Sequence, residues 1–185
     1  MLARIIEKEP VMLSGEEIRI LADALAYRDG VTRHNAREQL EEVGKPAVPY
    51  LIAALRSPSE HARWEAAKAL AEIADPSAAP ALVNALCDDK AAVRWLAGNA
   101  LINLGHDALA PLLRGLEASS DSIWFRDAAH HVLSSLIREG EADEAIPVME
   151  ALENLEPRIE APVAAYHVLK DMNGGAGVSA EPVQC

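Results

Sequence analysis

Three tryptophans are the first candidates for binding residues, because the chain contains few aromatic side chains. Its 185 residues include one Phe, three Tyr and three Trp, and the tryptophans Trp64, Trp95 and Trp124 recur at nearly equal intervals. A Trp ring buries a large area at little cost in conformational entropy, so tryptophans on one surface are typical of a protein-binding patch. Tryptophans also fill gaps between small side chains. Whether the tryptophans bind a partner or fill gaps depends on which faces of the folded chain carry their rings.

Polar side chains close to the tryptophans would set the selectivity of such a patch. The candidates are His34, His61, Glu65, Lys68, Asn99 and His131. A metal or catalytic site formed by His131 with His167 is the weaker interpretation, because a histidine on a helix surface is usually solvated.

The sequence contains no motif that predicts catalysis or a resident cofactor. It has no P-loop, no dinucleotide-binding glycine motif and no GxSxG nucleophile motif. Its two cysteines, Cys87 and Cys185, lie far apart and give no metal-ligand spacing. We therefore expect no catalytic residue, no metal and no cofactor.

Charge and composition disfavour further classes of partner. The chain carries 17 Lys and Arg against 29 Asp and Glu, a formal net charge of −12, which disfavours nucleic acid and anionic membranes. The first residues do not form a secretory signal, and no stretch of about 18 apolar residues is present to span a membrane. We therefore expect a cytoplasmic protein.

The apolar residues, which make up half of the sequence, are mostly Ala, Leu, Val and Ile, and this composition favours helices over strands.

A repeat of about 31 residues supplies the elements that position these side chains. Each copy has an arginine followed by Ala at +3, Leu at +7 and an aliphatic residue at +10, and this spacing forms one stripe of a helix. The four clear copies are Arg33–Gly44, Arg63–Ala74, Arg94–Gly105 and Arg126–Ile137. A weaker fifth copy around residues 162–169 has Pro162 in place of the arginine.

Proline-bearing segments alternate with the arginine-bearing ones, and each has its proline in the first turn of a predicted helix. Their prolines are Pro49, Pro80, Pro111 and Pro147. An earlier helix over residues 16–28 begins with a capping box of Ser14 and Glu17. About five helix pairs, ten helices in all, therefore stack into an α-solenoid over residues 14–171. Residues 1–13 are expected to form an extension or cap, and residues 172–185 a flexible tail.

These repeats resemble the HEAT repeat, and more narrowly the short bacterial HEAT-like repeat named for phycobilisome lyases. The resemblance covers about residues 16–170 and is clearest in Asp89, Val93, Arg94, Ala97, Ala100, Leu101, Leu104 and Gly105. It implies a right-handed α-solenoid with the arginine-bearing helices on the concave face. It also implies structural ion pairs between each arginine and an acid in the preceding turn. The acids Asp29, Asp89 and Asp121 stand four or five residues before Arg33, Arg94 and Arg126. The fourth arginine, Arg63, has only Ser57, Pro58, Ser59 and Glu60 there.

Positions −2, +1, +2 and +5 from each arginine are left to project into the groove. The tryptophans occupy +1 in two copies and −2 in a third, and the polar candidates occupy the same four positions. His167 occupies +5 in the fifth copy. All three tryptophans therefore share one predicted face.

The leading hypothesis is a non-enzymatic module that grips another protein in its concave groove through Trp64, Trp95 and Trp124. The second hypothesis, implied by the resemblance, is a bilin lyase or cofactor-maturation factor that holds a flat cofactor between the Trp rings. A third is an adaptor that docks a basic partner on the acidic segment 139–160. The identity of the partner and the oligomeric state stay open.

Overall fold

The computed structural model describes residues 13–173, and within that range the chain forms ten α-helices and no strand. The helices are α1 (Gly15–Ala24), α2 (Gly30–Val43), α3 (Val48–Ala54), α4 (Glu60–Ile73), α5 (Ala79–Ala85), α6 (Ala91–Asn103), α7 (Leu109–Ser119), α8 (Ile123–Arg138), α9 (Ile146–Glu153) and α10 (Pro157–Met172). The expected N-terminal extension and C-terminal tail lie almost wholly outside the described residues.

Local signals in the sequence fix where these helices begin. The predicted capping box is present, since the Ser14 side chain accepts from the Glu17 N–H and the Glu17 carboxylate accepts from the Ser14 N–H. The side chains of Asp29, Ser59 and Ser122 cap α2, α4 and α8. The first helix ends at Ala24, earlier than the predicted residue 28, and turns link it to α2.

The predicted apolar stripe forms the core of the first four helix pairs. Position +3 is a buried alanine in each even-numbered helix, and position +7 is a fully buried leucine. These residues are Ala36, Ala66, Ala97, Ala129, Leu40, Leu70, Leu101 and Leu133. Alanine at +3 lets neighbouring helices approach closely, and each buried leucine contributes about 1.5–3 kcal/mol of stability.

The helices stack in two rows, as an α-solenoid requires. In one row α2, α4, α6 and α8 each pack on the next, and in the other α1 packs on α3 and α5 packs on α7. Each odd-numbered helix also packs on the even-numbered helix that follows it. The predicted solenoid of helix pairs is therefore confirmed.

The fifth pair departs from this order. Its second helix, α10, packs mainly on α7 and α9 instead of continuing the row of α8, while α9 packs on α8. Pro162 lies inside α10 at the position that carries arginine in the other copies. The fifth copy, which is the weaker one in sequence, therefore also differs from the others in the position of its second helix.

The single phenylalanine depends on a glycine in the neighbouring helix. Phe125 of α8 is fully buried, and a Cβ atom added at Gly115 of α7 would overlap the Phe125 ring and lie 2.7 Å from Val83 Cγ1. Gly115 therefore leaves the space that the phenylalanine ring fills.

Gly115→Ala is expected to lower the free energy of unfolding by about 1–3 kcal/mol, because its methyl group overfills a packed site. Gly98→Ala is the matched control within a helix. Its Cβ would make an ordinary contact, 3.7 Å from Val132 Cγ2, and alanine should stabilise the helix by about 0.5–1 kcal/mol. Urea denaturation measures both changes, and stability changes of the same sign would contradict the packing described.

Candidate functional site

The four repeated arginines share one hydrogen bond that the side-chain pattern does not reveal. In each case the guanidinium Nη1 donates to the backbone carbonyl six residues earlier, in the loop between the paired helices. Arg33 donates to Tyr27 at 2.8 Å, Arg63 to Ser57 at 3.0 Å, Arg94 to Asp88 at 2.7 Å, and Arg126 to Ser120. The arginines therefore tie each loop to the first turn of the following helix.

Three of these arginines also reach the next repeat. Arg63 binds both carboxylate oxygens of Asp88 at 2.6 and 3.0 Å, and this hydrogen bonding raises the pKa of its guanidinium. Arg33 lies 3.5 Å from Glu65, and Arg94 lies over the Trp124 ring, 4.6 Å from its centre. The arginines are thus structural residues that link consecutive helix pairs.

Their acidic partners differ from the expected ones. Asp29 caps α2 by accepting from Thr32, which holds the pKa of its carboxyl below its usual range, and Asp121 pairs with Arg158 at 3.4 Å. Asp89 pairs with Arg63 of the preceding repeat at 2.6 Å. The expectation was wrong for Asp29 because a carboxylate at a helix start accepts from the free N–H groups of the first turn. It was wrong for Asp89 and Asp121 because each pairs with an arginine of a different repeat.

Glu65 is buried, although the sequence placed it in the groove. Glu65 and Arg37 are each 5% exposed, and Arg37 Nε donates to Glu65 at 3.0 Å. Arg37 also contacts Glu41 and His34 Nδ1, the latter at 2.8 Å. Position +2 faces the preceding helix of the row, so Glu65 of α4 points back toward α2.

The two positions that Arg37 and Glu65 occupy carry different residues at the next interface between even-numbered helices. Positions +4 and +2 carry Arg37 and Glu65 between α2 and α4, but Ala67 and Leu96, both buried, between α4 and α6. The sequence does contain a signal for the special role of Arg37. It is a charged residue at position +4, where two other copies have the small residues Ala67 and Gly98.

The tryptophans lie on consecutive helices of the even-numbered row. Trp95 of α6 is 63% exposed and Trp124 of α8 is 59% exposed. Trp64 of α4 is half-buried against the core, and the Lys68 ammonium lies 5.3 Å from its ring centre. Trp64 thus partly fills the interior, whereas the other two rings face solvent.

Three of the predicted site residues meet in an open groove between α4 and α6, with a volume of about 320 Å³. Its lining consists of Lys68, Ala71, Glu72, Trp95, Leu96, Asn99, Ile102 and Asn103. Asn103 donates to the Ala71 carbonyl at 3.2 Å across the groove. Among residues 13–173 the Asn99 side-chain amide has no hydrogen-bond partner. Sequence reasoning missed Glu72 and Asn103, which lie one turn beyond position +5.

The histidines do not form a common site. His34 lies 3.2 Å from Glu38, and His61 and His131 are exposed and do not line the groove. His167 lines a separate cavity of about 570 Å³ between α9 and α10, because α10 has left the row. The predicted continuation of the ladder to His167 is therefore wrong.

The part of the chain that the structure describes contains neither a cluster suited to a metal ion nor a helix suited to a membrane. Between residues 13 and 173 no cluster of three or more His, Cys, Asp or Glu side chains has a geometry suited to a metal ion. None of the ten helices is both long and apolar enough to cross a membrane.

Comparisons with known proteins agree with this architecture. Residues 18–102 match the family model described as HEAT repeats. The chain is similar to a chain in the solved complex of CpcE and CpcF of phycocyanin lyase from Nostoc sp. PCC7120. The identity is 24% and the TM-score is 0.54, and the match covers 84% of this chain and 99% of the chain in the complex. It is also similar to an engineered protein at 20% identity and a TM-score of 0.46, over 86% and 81% of the two chains. No curated protein matches the chain.

Glu65→Leu is expected to lower the free energy of unfolding by about 3 kcal/mol, because it removes a buried carboxylate that pairs with both Arg37 and Arg33. The double variant Arg37→Ala with Glu65→Leu copies the Ala67 and Leu96 pair of the next interface. It should recover most of the lost stability, as measured by chemical denaturation of both variants and each single one. A double variant as unstable as Glu65→Leu alone would contradict this account of the interface.

Proposed function

We propose that the chain, whose residues 18–102 match the HEAT-repeat family model, is a non-enzymatic module that binds a partner protein along the exposed face of α4, α6 and α8. The observation that carries the proposal is the exposure of Trp95 and Trp124 on neighbouring helices. Exposed large aromatic side chains are typical of contact surfaces, where they anchor a partner in a desolvated centre. The location of the protein in the cytoplasm stays a prediction from the sequence.

The groove beside Trp95 supports a polypeptide as the occupant. Leu96, Ala71 and Ile102 give it an apolar floor, and its volume of about 320 Å³ is at the low end for a small-molecule site. An apolar side chain of the partner would lie on this floor beside the Trp95 ring.

The Asn99 amide supports an extended segment of that partner. Its side chain offers both a donor and an acceptor, the complement of one peptide group, and neither is used within residues 13–173. An extended strand exposes peptide groups, whereas a helix satisfies its own. Asn99 would therefore fix the register of the partner while the tryptophans supply most of the affinity. Glu65 takes no direct part in this proposal, because it is buried.

A role in handling a pigment or another flat cofactor is the second candidate. Its support is the similarity to the phycocyanin lyase complex. The groove gives it less support, because Trp64 is half-buried with Lys68 over its ring and does not line the groove beside Trp95. The proposed module should therefore show no tryptophan fluorescence change on titration with a linear tetrapyrrole. A saturable change that Trp95→Ala abolishes would favour the pigment candidate.

Trp95→Ala and Trp124→Ala are each expected to weaken binding of the partner by about 2–4 kcal/mol, because each removes an exposed anchor. The partner would be captured from native extract by the immobilised chain, identified by mass spectrometry and then titrated by calorimetry. Tyr27→Ala removes an exposed aromatic ring far from the groove along the row and is the matched control. Full affinity in both tryptophan variants, with the fold checked by circular dichroism, would contradict the proposal.

A further inference from the structure

The exposed face of α10 carries an apolar stripe that the rest of residues 13–173 leaves uncovered. Ile159, Val163 and Tyr166 are 54%, 54% and 52% exposed. Their spacing of four and three residues places them on one side of the helix. The opposite side, with Ala161 and Ala165, is buried against the solenoid. Leu155, just before the helix, is fully exposed.

Within residues 13–173 this face is left uncovered because α10 does not continue the even-numbered row. The helices α2, α4 and α6 are each covered by the next helix of that row and α8 contacts α9, whereas α10 packs on α7 and α9 with its other side. An apolar helix face that no further repeat covers is a site for association with another chain.

Charges at the two ends of the stripe indicate which chain covers it. Lys170 continues the stripe toward the end of α10, and Glu156 lies beside its start. Both side chains are exposed, and neither forms an ion pair within the described residues. The stripe therefore has an unpaired positive charge at one end and an unpaired negative charge at the other.

We propose that a second copy of this chain covers the stripe, with the two α10 helices antiparallel about a two-fold axis near Val163. At a rise of about 1.5 Å per residue, an axis midway between Ile159 and Tyr166 sets each of these residues opposite the other in the second copy. The same axis brings Lys170 to within about one residue's rise of Glu156 in the second copy. The stripe thus places apolar residues opposite apolar residues and opposite charges near each other, as a self-complementary two-fold interface requires.

The interface is small, which sets the strength expected. Three apolar side chains on one helix, together with Leu155 just before it, cover less than the roughly 800 Å² per partner of a standard interface. The dimer is therefore reversible and forms as the concentration rises. It uses α10 and is independent of the tryptophan surface on α4, α6 and α8.

Sedimentation equilibrium of the full chain over a wide concentration range tests the proposal. The wild type should shift from monomer to dimer, and Ile159→Glu should weaken the dimer at least about tenfold, because it places a charge in the apolar contact. Ile20→Glu is the matched control, since Ile20 is a 56% exposed isoleucine at the other end of the solenoid. It should leave the dimer unchanged.

Exchanging the charges of Lys170 and Glu156 distinguishes the antiparallel dimer from any other association. This test remains informative even if Ile159→Glu fails to fold. Lys170→Glu and Glu156→Lys should each weaken the dimer, and the two together should restore it, because the pair is then reversed across the axis. A wild type that stays monomeric at every concentration overturns the proposal, whether residues 174–185 or a different protein covers the stripe. A dimer that resists Ile159→Glu, or a double exchange that fails to restore it, also overturns it.

Discussion

The hydrogen bond between each repeated arginine and the backbone carbonyl six residues earlier sets the geometry of the first four helix pairs. The carbonyl lies in the loop after an odd-numbered helix, where the chain leaves backbone acceptors without helical partners. The donor lies in the first turn of the next helix, so one side chain fixes how the chain turns between them. The buried alanine three residues later then permits close packing. Together they make each pair a repeatable unit.

The fifth pair lacks this hydrogen bond and also departs from the row. Pro162 occupies the arginine position and has no side-chain donor, and α10 packs on α7 instead of continuing the row from α8. The change in helix position coincides with the loss of the arginine. It leaves one face of the last helix uncovered and opens the cavity beside His167.

The regular units leave specific chemistry to the positions that differ between copies. Arg37 and Glu65 form a charged contact at the first step of the row, while Ala67 and Leu96 form an apolar one at the second. Several outward positions also support the stack, such as Glu65 in its buried ion pair and Trp124 beneath Arg94. Trp95 is largely exposed, and the Asn99 amide has no hydrogen-bond partner within residues 13–173, so the proposed partner contacts at these two positions would not compete with the stacking.

Much of this could be predicted from the sequence, because a repeat fixes which positions are buried. The stripe of alanine and leucine, the capping box of Ser14 and the exposure of Trp95 and Trp124 all follow from helical spacing. The burial of Glu65 does not, because it depends on which neighbouring helix position +2 faces. The carbonyl partners of the arginines were missed because backbone acceptors carry no side-chain signature. The position of α10 was missed because it depends on packing between distant parts of the chain.

The three indole N–H signals in a ¹H–¹⁵N spectrum give the most direct test of the central claim, that the outward face of the even-numbered helices receives the partner. Each tryptophan lies on a different helix, so the three signals report on α4, α6 and α8 separately. Addition of the partner should shift or broaden the signals of Trp95 and Trp124, and that of the half-buried Trp64 less. A partner that binds tightly while all three signals stay unchanged would contradict the claim.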